Sequence, residues 1–235
     1  MTAGPVLHLA NVRKAYQGLR PLRVRDLTID AGQRVAVSGL DAGAAEVLVN
    51  LVTGASIPDE GEVAVLGRTT VSIADGDDWL SSLDRFGIVS PRAVLLDGAT
   101  LMQNLAMPFT LDIDPVPANV ASRVASLAIE AGLSGAVLQQ PMAQLTPEAR
   151  IRAHLVRAVA LDPQLLILEH PTASLPAADR RPFGEDVARV AEARSLATLI
   201  VSEDQEFSRA AAHRQLALHG ATGELTPRRR GLFGW

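Results

Sequence analysis

Apolar and polar residues alternate through Leu7, Leu9 and Val12, and again from Leu22 to Ile29. A period of two turns one side of a chain to the core and the other to water, so both segments predict antiparallel strands with one wet face. Arg34–Ser38 is a short β-rich run that stops at Gly39, and a helical pattern follows from Ala44 to Val52, ending near Gly54. Gly39–Glu46 is therefore a strand-to-helix turn, the place where α/β folds bind phosphate. Pro58–Gly61 predicts a turn, and Glu62–Leu66 and Phe86–Ser90 predict strands, the second stopped by Pro91.

Helical spacing returns from Asn119 to Ala131, with Val120, Val124, Leu127 and Ala128 on one face, and from Pro147 to Ala160, where proline suits the first turn. Leu165–Leu168 is apolar without interruption, as a strand buried on both faces requires. Asp186–Arg194 predicts a helix and Leu196–Val201 another buried strand. Buried strands alternating with helices predict a doubly wound parallel sheet.

Composition narrows the function classes. The 235 residues are 48% hydrophobic and 20% charged, which supports a packed core. A formal net charge of −4 gives no general affinity for nucleic acid, and none is expected as a partner. The chain has no cysteine, which excludes disulfides, zinc-thiolate sites and cysteine nucleophiles. Met1–Leu9 lacks the pattern of a signal peptide, and no stretch of about 18 apolar residues is present, so a membrane role is expected only through a partner. Lys14 is the only lysine.

Several strings resemble the ATP-binding subunit of ABC transporters, from about Leu7 to Leu225. Val37–Gly54 lies where that family has its Walker A loop and following helix, and Asn50–Gly54 with Pro58–Val63 fixes the register. Leu145–Arg152 takes the signature position, and Ala158–Thr172 resembles the stretch through Walker B. Asn104–Pro108 is similar to a region of lipoprotein-release and macrolide-export ATPases that faces the membrane subunit. The resemblance implies an α/β, P-loop NTPase-like nucleotide-binding domain: a RecA-like parallel-sheet core, an N-terminal antiparallel β-subdomain and an α-helical subdomain. It spans residues 1–226, with the helical part at about 92–155, and residues 227–235 form a basic tail. The resemblance also implies a multi-span permease partner, a second nucleotide-binding subunit (homo- or heterodimeric), and a cytoplasmic place against the inner membrane face.

The same register shows substitutions wherever ATP and Mg²⁺ would be held. A P-loop curls backbone N–H groups around phosphates, places a lysine on the β/γ oxygens and a Ser/Thr hydroxyl on Mg²⁺. In the turn Gly39, Asp41, Ala42, Gly43, Ala44, Ala45, Glu46, Val47, the lysine position is Ala45 and the Ser/Thr position Glu46, while Ala42 and Ala44 replace glycines. One charge pair at about 4 Å is worth roughly 4 kcal/mol at an effective dielectric near 20. Losing a lysine and gaining a carboxylate both act against a polyanion, by roughly two to four decades of affinity. An anion-attracting helix N-terminus persists, which Glu46 or Asp41 is placed to satisfy internally. The Mg²⁺ position is Glu169 and the catalytic-glutamate position His170. The signature reads Leu145, Thr146, Pro147, Glu148, Ala149, with proline and glutamate in place of paired glycines. Pro91 replaces the Q-loop glutamine, Glu203 the switch histidine and Pro176 the D-loop aspartate, whereas Tyr16 keeps the adenine-stacking aromatic.

The leading expectation is a non-hydrolysing pseudo-ATPase subunit with a structural or allosteric role, no catalytic residue, no bound metal and no required cofactor. Two readings stand against it. One is a subunit that still binds, or hydrolyses, Mg-ATP. The other is an interaction protein freed from transport, such as a homodimeric scaffold.

Overall fold

The computed structural model describes residues 4–228. Among the described residues ten strands and seven α-helices follow one another. The strands are β1 (Leu7–Lys14), β2 (Leu22–Ile29), β3 (Arg34–Ser38), β4 (Glu60–Val65), β5 (Arg68–Thr69), β6 (Phe86–Val89), β7 (Leu165–Glu169), β8 (Ala197–Val201), β9 (Arg214–His219) and β10 (Glu224–Pro227). The helices are α1 (Ala42–Val52), α2 (Gly76–Ser82), α3 (Leu101–Ala106), α4 (Ala118–Glu130), α5 (Pro147–Val159), α6 (Ala177–Ala193) and α7 (Gln205–Ala211).

Two sheets result. An antiparallel sheet has the order β2-β1-β4-β5, and a second sheet has the order β10-β9-β3-β8-β7-β6. In the second, β6 to β9 are parallel and only β10 runs against its neighbour. The predicted doubly wound core and N-terminal antiparallel unit are both present.

The parallel strands read as unbroken apolar runs because they serve two cores. Leu165 and Ile167 of β7, with Val35 and Val37 of β3, pack with α1 and the antiparallel sheet. Leu166 and Leu168, with Ala36 and Ile200, pack with α3 to α7 on the opposite face. Each fully buried Leu or Ile contributes about 1.5–3 kcal/mol, so both faces require apolar residues. In α4 the predicted stripe is the one that is buried: Val124, Leu127 and Ala128 are covered and Val120 packs at its margin.

Some predicted boundaries shift. Helix α1 begins at Ala42 rather than Ala44, because the Asp41 side chain caps it there. Helix α6 begins at Ala177, well before Asp186, and carries Pro182 within its second turn. Burial of Phe183, Gly184 and Val187 outweighs the hydrogen bond that proline forgoes. The helical region runs through α5 to Val159, beyond the expected 155. Pro227 lies in β10 and Arg228 donates its N–H to the Gln215 carbonyl at 2.9 Å. Residues 229–235 of the expected tail lie outside the described residues. Among the described residues no helix is long and apolar enough to cross a membrane.

Candidate nucleotide site

The candidate site gathers at the carboxyl ends of β3, β6, β7 and β8, the edge of a parallel sheet where ligands bind. Chain reversal after β3 depends on Gly39. Its φ is +91°, and a Cβ there would lie 2.4 Å from the Leu218 carbonyl oxygen, so no other residue fits.

Two of the turn's amides are engaged by carboxylates of the chain itself. The Gly39 N–H donates to Glu203 Oε1 at 2.5 Å. Asp41 Oδ1 accepts the Ala44 N–H at 2.8 Å, as an N-cap does. Ala42, Gly43, Ala44, Ala45, Glu46 and Val47 all lie in α1, so the alanines avoid left-handed backbone by being helical. Ala45, expected from the sequence at the lysine position, has no exposed surface and belongs to the core cluster with Leu48 and Leu51, so it presents no group to the turn. Lys14 is engaged elsewhere, with Nζ 2.9 Å from Asp59 Oδ1.

Glu46 does not return to the helix end. Its Oε1 lies 2.6 Å from Arg92 Nη1, and Arg92 Nη2 lies 2.8 Å from Glu169 Oε2. Glu169 is 3% exposed and its Oε2 also accepts the Ser90 hydroxyl at 2.7 Å. The Arg92 N–H donates to Ser90 Oγ at 3.2 Å, which folds the chain back just after Pro91. A buried carboxylate is costly unless paired and hydrogen-bonded, and Glu169 has both kinds of partner.

Of the two carboxylates expected at the helix end, Asp41 fills that role and Glu46 instead reaches across to Arg92. Arg92 and Ser90 were not among the residues singled out from the sequence. Their signal was weak: an arginine one residue past a missing glutamine, and a serine at a strand end, are ordinary until the sheet order brings β6 beside β7.

Tyr16 lies against the start of α1, its ring 3.3 Å from where a Gly43 Cβ would be. Partial burial, and then the nearby Asp41 carboxylate, push its phenol above the ordinary range. A cleft of about 290 Å³ opens beside it, lined by Leu19, Arg20, Arg23 and Leu40 among others. His170 takes a left-handed φ of +42°, its N–H donates to the Val201 carbonyl at 2.8 Å, and its Nε2 is buried with no hydrogen-bond partner.

The signature residues form a separate place. Leu145 is buried, Thr146 is the N-cap residue of α5 without a side-chain cap bond, Pro147 starts the helix, Glu148 lies in its first turn and Ala149 is buried. Among the described residues no hydrogen bond or ion pair links them to the turn after β3. Pro176 stands at the start of α6.

Comparison with known proteins agrees with this architecture. Against the curated proteins, the chain is 30% identical over 200 residues to the sulfate/thiosulfate import ATP-binding protein CysA of Thermosynechococcus vestitus, covering 84% of this chain and 56% of that protein. It is 29% identical over 222 residues to the lipoprotein-releasing system ATP-binding protein LolD of Alcanivorax borkumensis, covering 92% and 95%. The chain thus spans about half the length of the import protein and nearly all of LolD. Among solved structures, the dimeric bacterial ABC transporter cassette MJ0796 superposes with a TM-score of 0.76 at 22% identity, covering 97% of this chain and 100% of that one, a likeness of fold. A family model described as ABC transporter matches residues 22–173, more than half of the chain, and the chain belongs to that family.

Proposed function

We propose that the chain is a nucleotide-binding-type subunit of an ABC transporter that does not turn over ATP, and that it acts structurally or allosterically. Its partners are a multi-span permease and a second nucleotide-binding subunit, at the cytoplasmic face of the inner membrane. The names of its relatives, import and lipoprotein-release ATP-binding proteins, and the dimeric cassette it resembles in fold, support that assembly.

The observation that carries the absence of turnover is the occupancy of the phosphate turn by the chain's own carboxylates. Glu203 takes the Gly39 N–H and Asp41 takes the Ala44 N–H, two of the donors that a phosphate in this turn would use. Ala45 is buried and offers no compensating charge. The residues at the metal position do not suit Mg²⁺ either. That ion needs free oxygen ligands in near-octahedral geometry, and Glu169 and Glu46 already face one guanidinium.

Calorimetric titration with Mg-ATP, together with phosphate release from the purified chain, tests this reading. The expected result is no turnover and no binding in the micromolar range. Turnover that Glu169→Gln abolishes overturns it, whereas micromolar binding without turnover overturns the occupied-turn argument and leaves the second reading.

A second reading has one observation in its favour. The cleft beside Tyr16, with Arg20 and Arg23 in its wall, has room for an aromatic base and supports nucleotide held without hydrolysis. In that case Tyr16→Ala abolishes whatever binding the titration detects.

A further inference from the structure

We propose that Arg92 is the resident cation of this site: its guanidinium stands in for a divalent metal between Glu46 and Glu169, and fastens the β6–α3 segment to α1 and β7 with or without nucleotide. The inference rests on the pseudo-ATPase reading and gives it a mechanism.

Each terminal nitrogen of Arg92 serves a carboxylate from a different element, Glu46 of α1 at 2.6 Å and Glu169 at the end of β7 at 2.8 Å. Those two positions are the ones a P-loop protein uses for metal coordination. An arginine is charged at every accessible pH, and its planar fork suits carboxylates. Because it is tethered, a soluble cation competes with a group present at high effective concentration. Glu169 supplies the need for such a partner, since it is nearly fully buried and Ser90 alone brings no positive charge.

The segment that Arg92 begins is tied down along its length. The Val94 carbonyl accepts from Arg157 Nη1 at 2.6 Å. Leu96 exchanges hydrogen bonds with the fully buried Asn104 side chain, its N–H donating at 2.7 Å and its carbonyl accepting at 3.0 Å. Asp97 pairs with Arg150 at 3.3 Å. Three of these ties hold the segment to the helical side, and Arg92 is the one that joins it to the nucleotide edge of the sheet. In a nucleotide-dependent protein a bound ligand would have to make that connection. Here a side chain of the segment itself makes it, through two ion pairs.

Amide hydrogen exchange and melting curves of the full chain test the proposal. In the wild-type chain, exchange across residues 91–97 is unchanged by millimolar Mg-ATP. Arg92→Gln speeds exchange there by about tenfold, the equivalent of one lost charge-assisted contact, and lowers the melting temperature by roughly 3–6 °C. Arg92→Lys, which keeps the charge but not the fork, falls between. Added to Glu46→Gln and Glu169→Gln, Arg92→Gln has little further effect, because no unpaired carboxylate is left behind. Should Arg92→Gln fail to fold, Glu46→Gln, which alters only the partly exposed partner, still speeds exchange at residues 91–97.

The proposal is overturned if Arg92→Gln costs as much in the double-Gln background as in the wild type, or if Mg-ATP slows exchange at residues 91–97 in the wild type. Its failure is separable from that of the pseudo-ATPase reading. Turnover with the Arg92 coupling intact sinks the latter alone, and lost coupling without turnover sinks the former alone.

Discussion

In the middle of β7, neighbouring residues divide between two cores, Ile167 packing toward α1 and Leu166 toward the helical face. One step beyond Leu168, Glu169 is buried as well, but its carboxylate is held by a hydroxyl and a guanidinium. The same contrast recurs on β3, where Val35 and Val37 are buried and Gly39 turns to meet Glu203, and on β8, where buried Ile200 and Val201 lead to exposed Glu203. Strand interiors are constrained by burial on both faces, a demand that does not change with ligand. The carboxyl edge is not bound by that two-sided apolar burial, so its side chains can differ as long as a buried charge such as Glu169 keeps a partner. Strand interiors can therefore hold a family's sheet while the residues at its carboxyl edge vary.

Four measurements break or sharpen this contrast. The largest effect is expected in the strand interior. Leu166→Ala removes a fully buried side chain and should cost about 2–5 kcal/mol, read from denaturant midpoints at constant slope. A loss as small as that of an edge substitution would erase the distinction. Gly39→Ala comes next, as the one edge position held by backbone. A Cβ cannot sit 2.4 Å from the Leu218 carbonyl, and the left-handed φ adds strain, so about 2–3 kcal/mol is expected in the same assay. Asp41→Ala removes only the N-cap of α1 and should cost about 1 kcal/mol. Asp41→Asn, which can still accept the Ala44 N–H, should recover most of it.

The smallest effect is a pH dependence on the helical side. Burial, then Arg157 and Arg150, push the His154 imidazole below its ordinary range. A base with a depressed pKa in the folded state binds its proton more readily when unfolded. Its contribution is therefore complete above the ordinary imidazole range and is lost as pH falls from there toward the lower folded value. The melting temperature should decline between about pH 7.5 and pH 5.5, and His154→Gln should flatten that decline. An unchanged slope would place the titration elsewhere.

Much of the fold was legible because burial leaves a periodic trace. β2 and β3 appear with the predicted bounds, and β7, β8, α4 and α5 within a residue or two. The misses have identifiable causes. The first half of α6 was hidden by Pro182, whose local penalty says nothing of the core that Phe183 joins. α2, α3 and α7 are only six or seven residues long, too short for a helical period to stand out. At the site, the residue types of the turn were visible in the sequence, with Gly39 and Gly43 and no lysine between them. Their partners were not, because Glu46 of α1, Ser90 and Arg92 after β6, and Glu169 of β7 come from three places in the chain and meet only through the order β3-β8-β7-β6.

The sequence by itself determined the fold class and the family register, and it showed that the turn after β3 carries carboxylates and methyl groups where a polyphosphate needs a lysine and free amides. Those are local properties, set by periodicity and residue type. Only the tertiary structure decided where each carboxylate goes: Asp41 to its own helix end, Glu203 across from β8 to Gly39, and Glu46 with Glu169 to Arg92. The reason is physical. A charge finds its partner by distance in space, and the sheet order that sets those distances follows from buried residues far from the charges themselves.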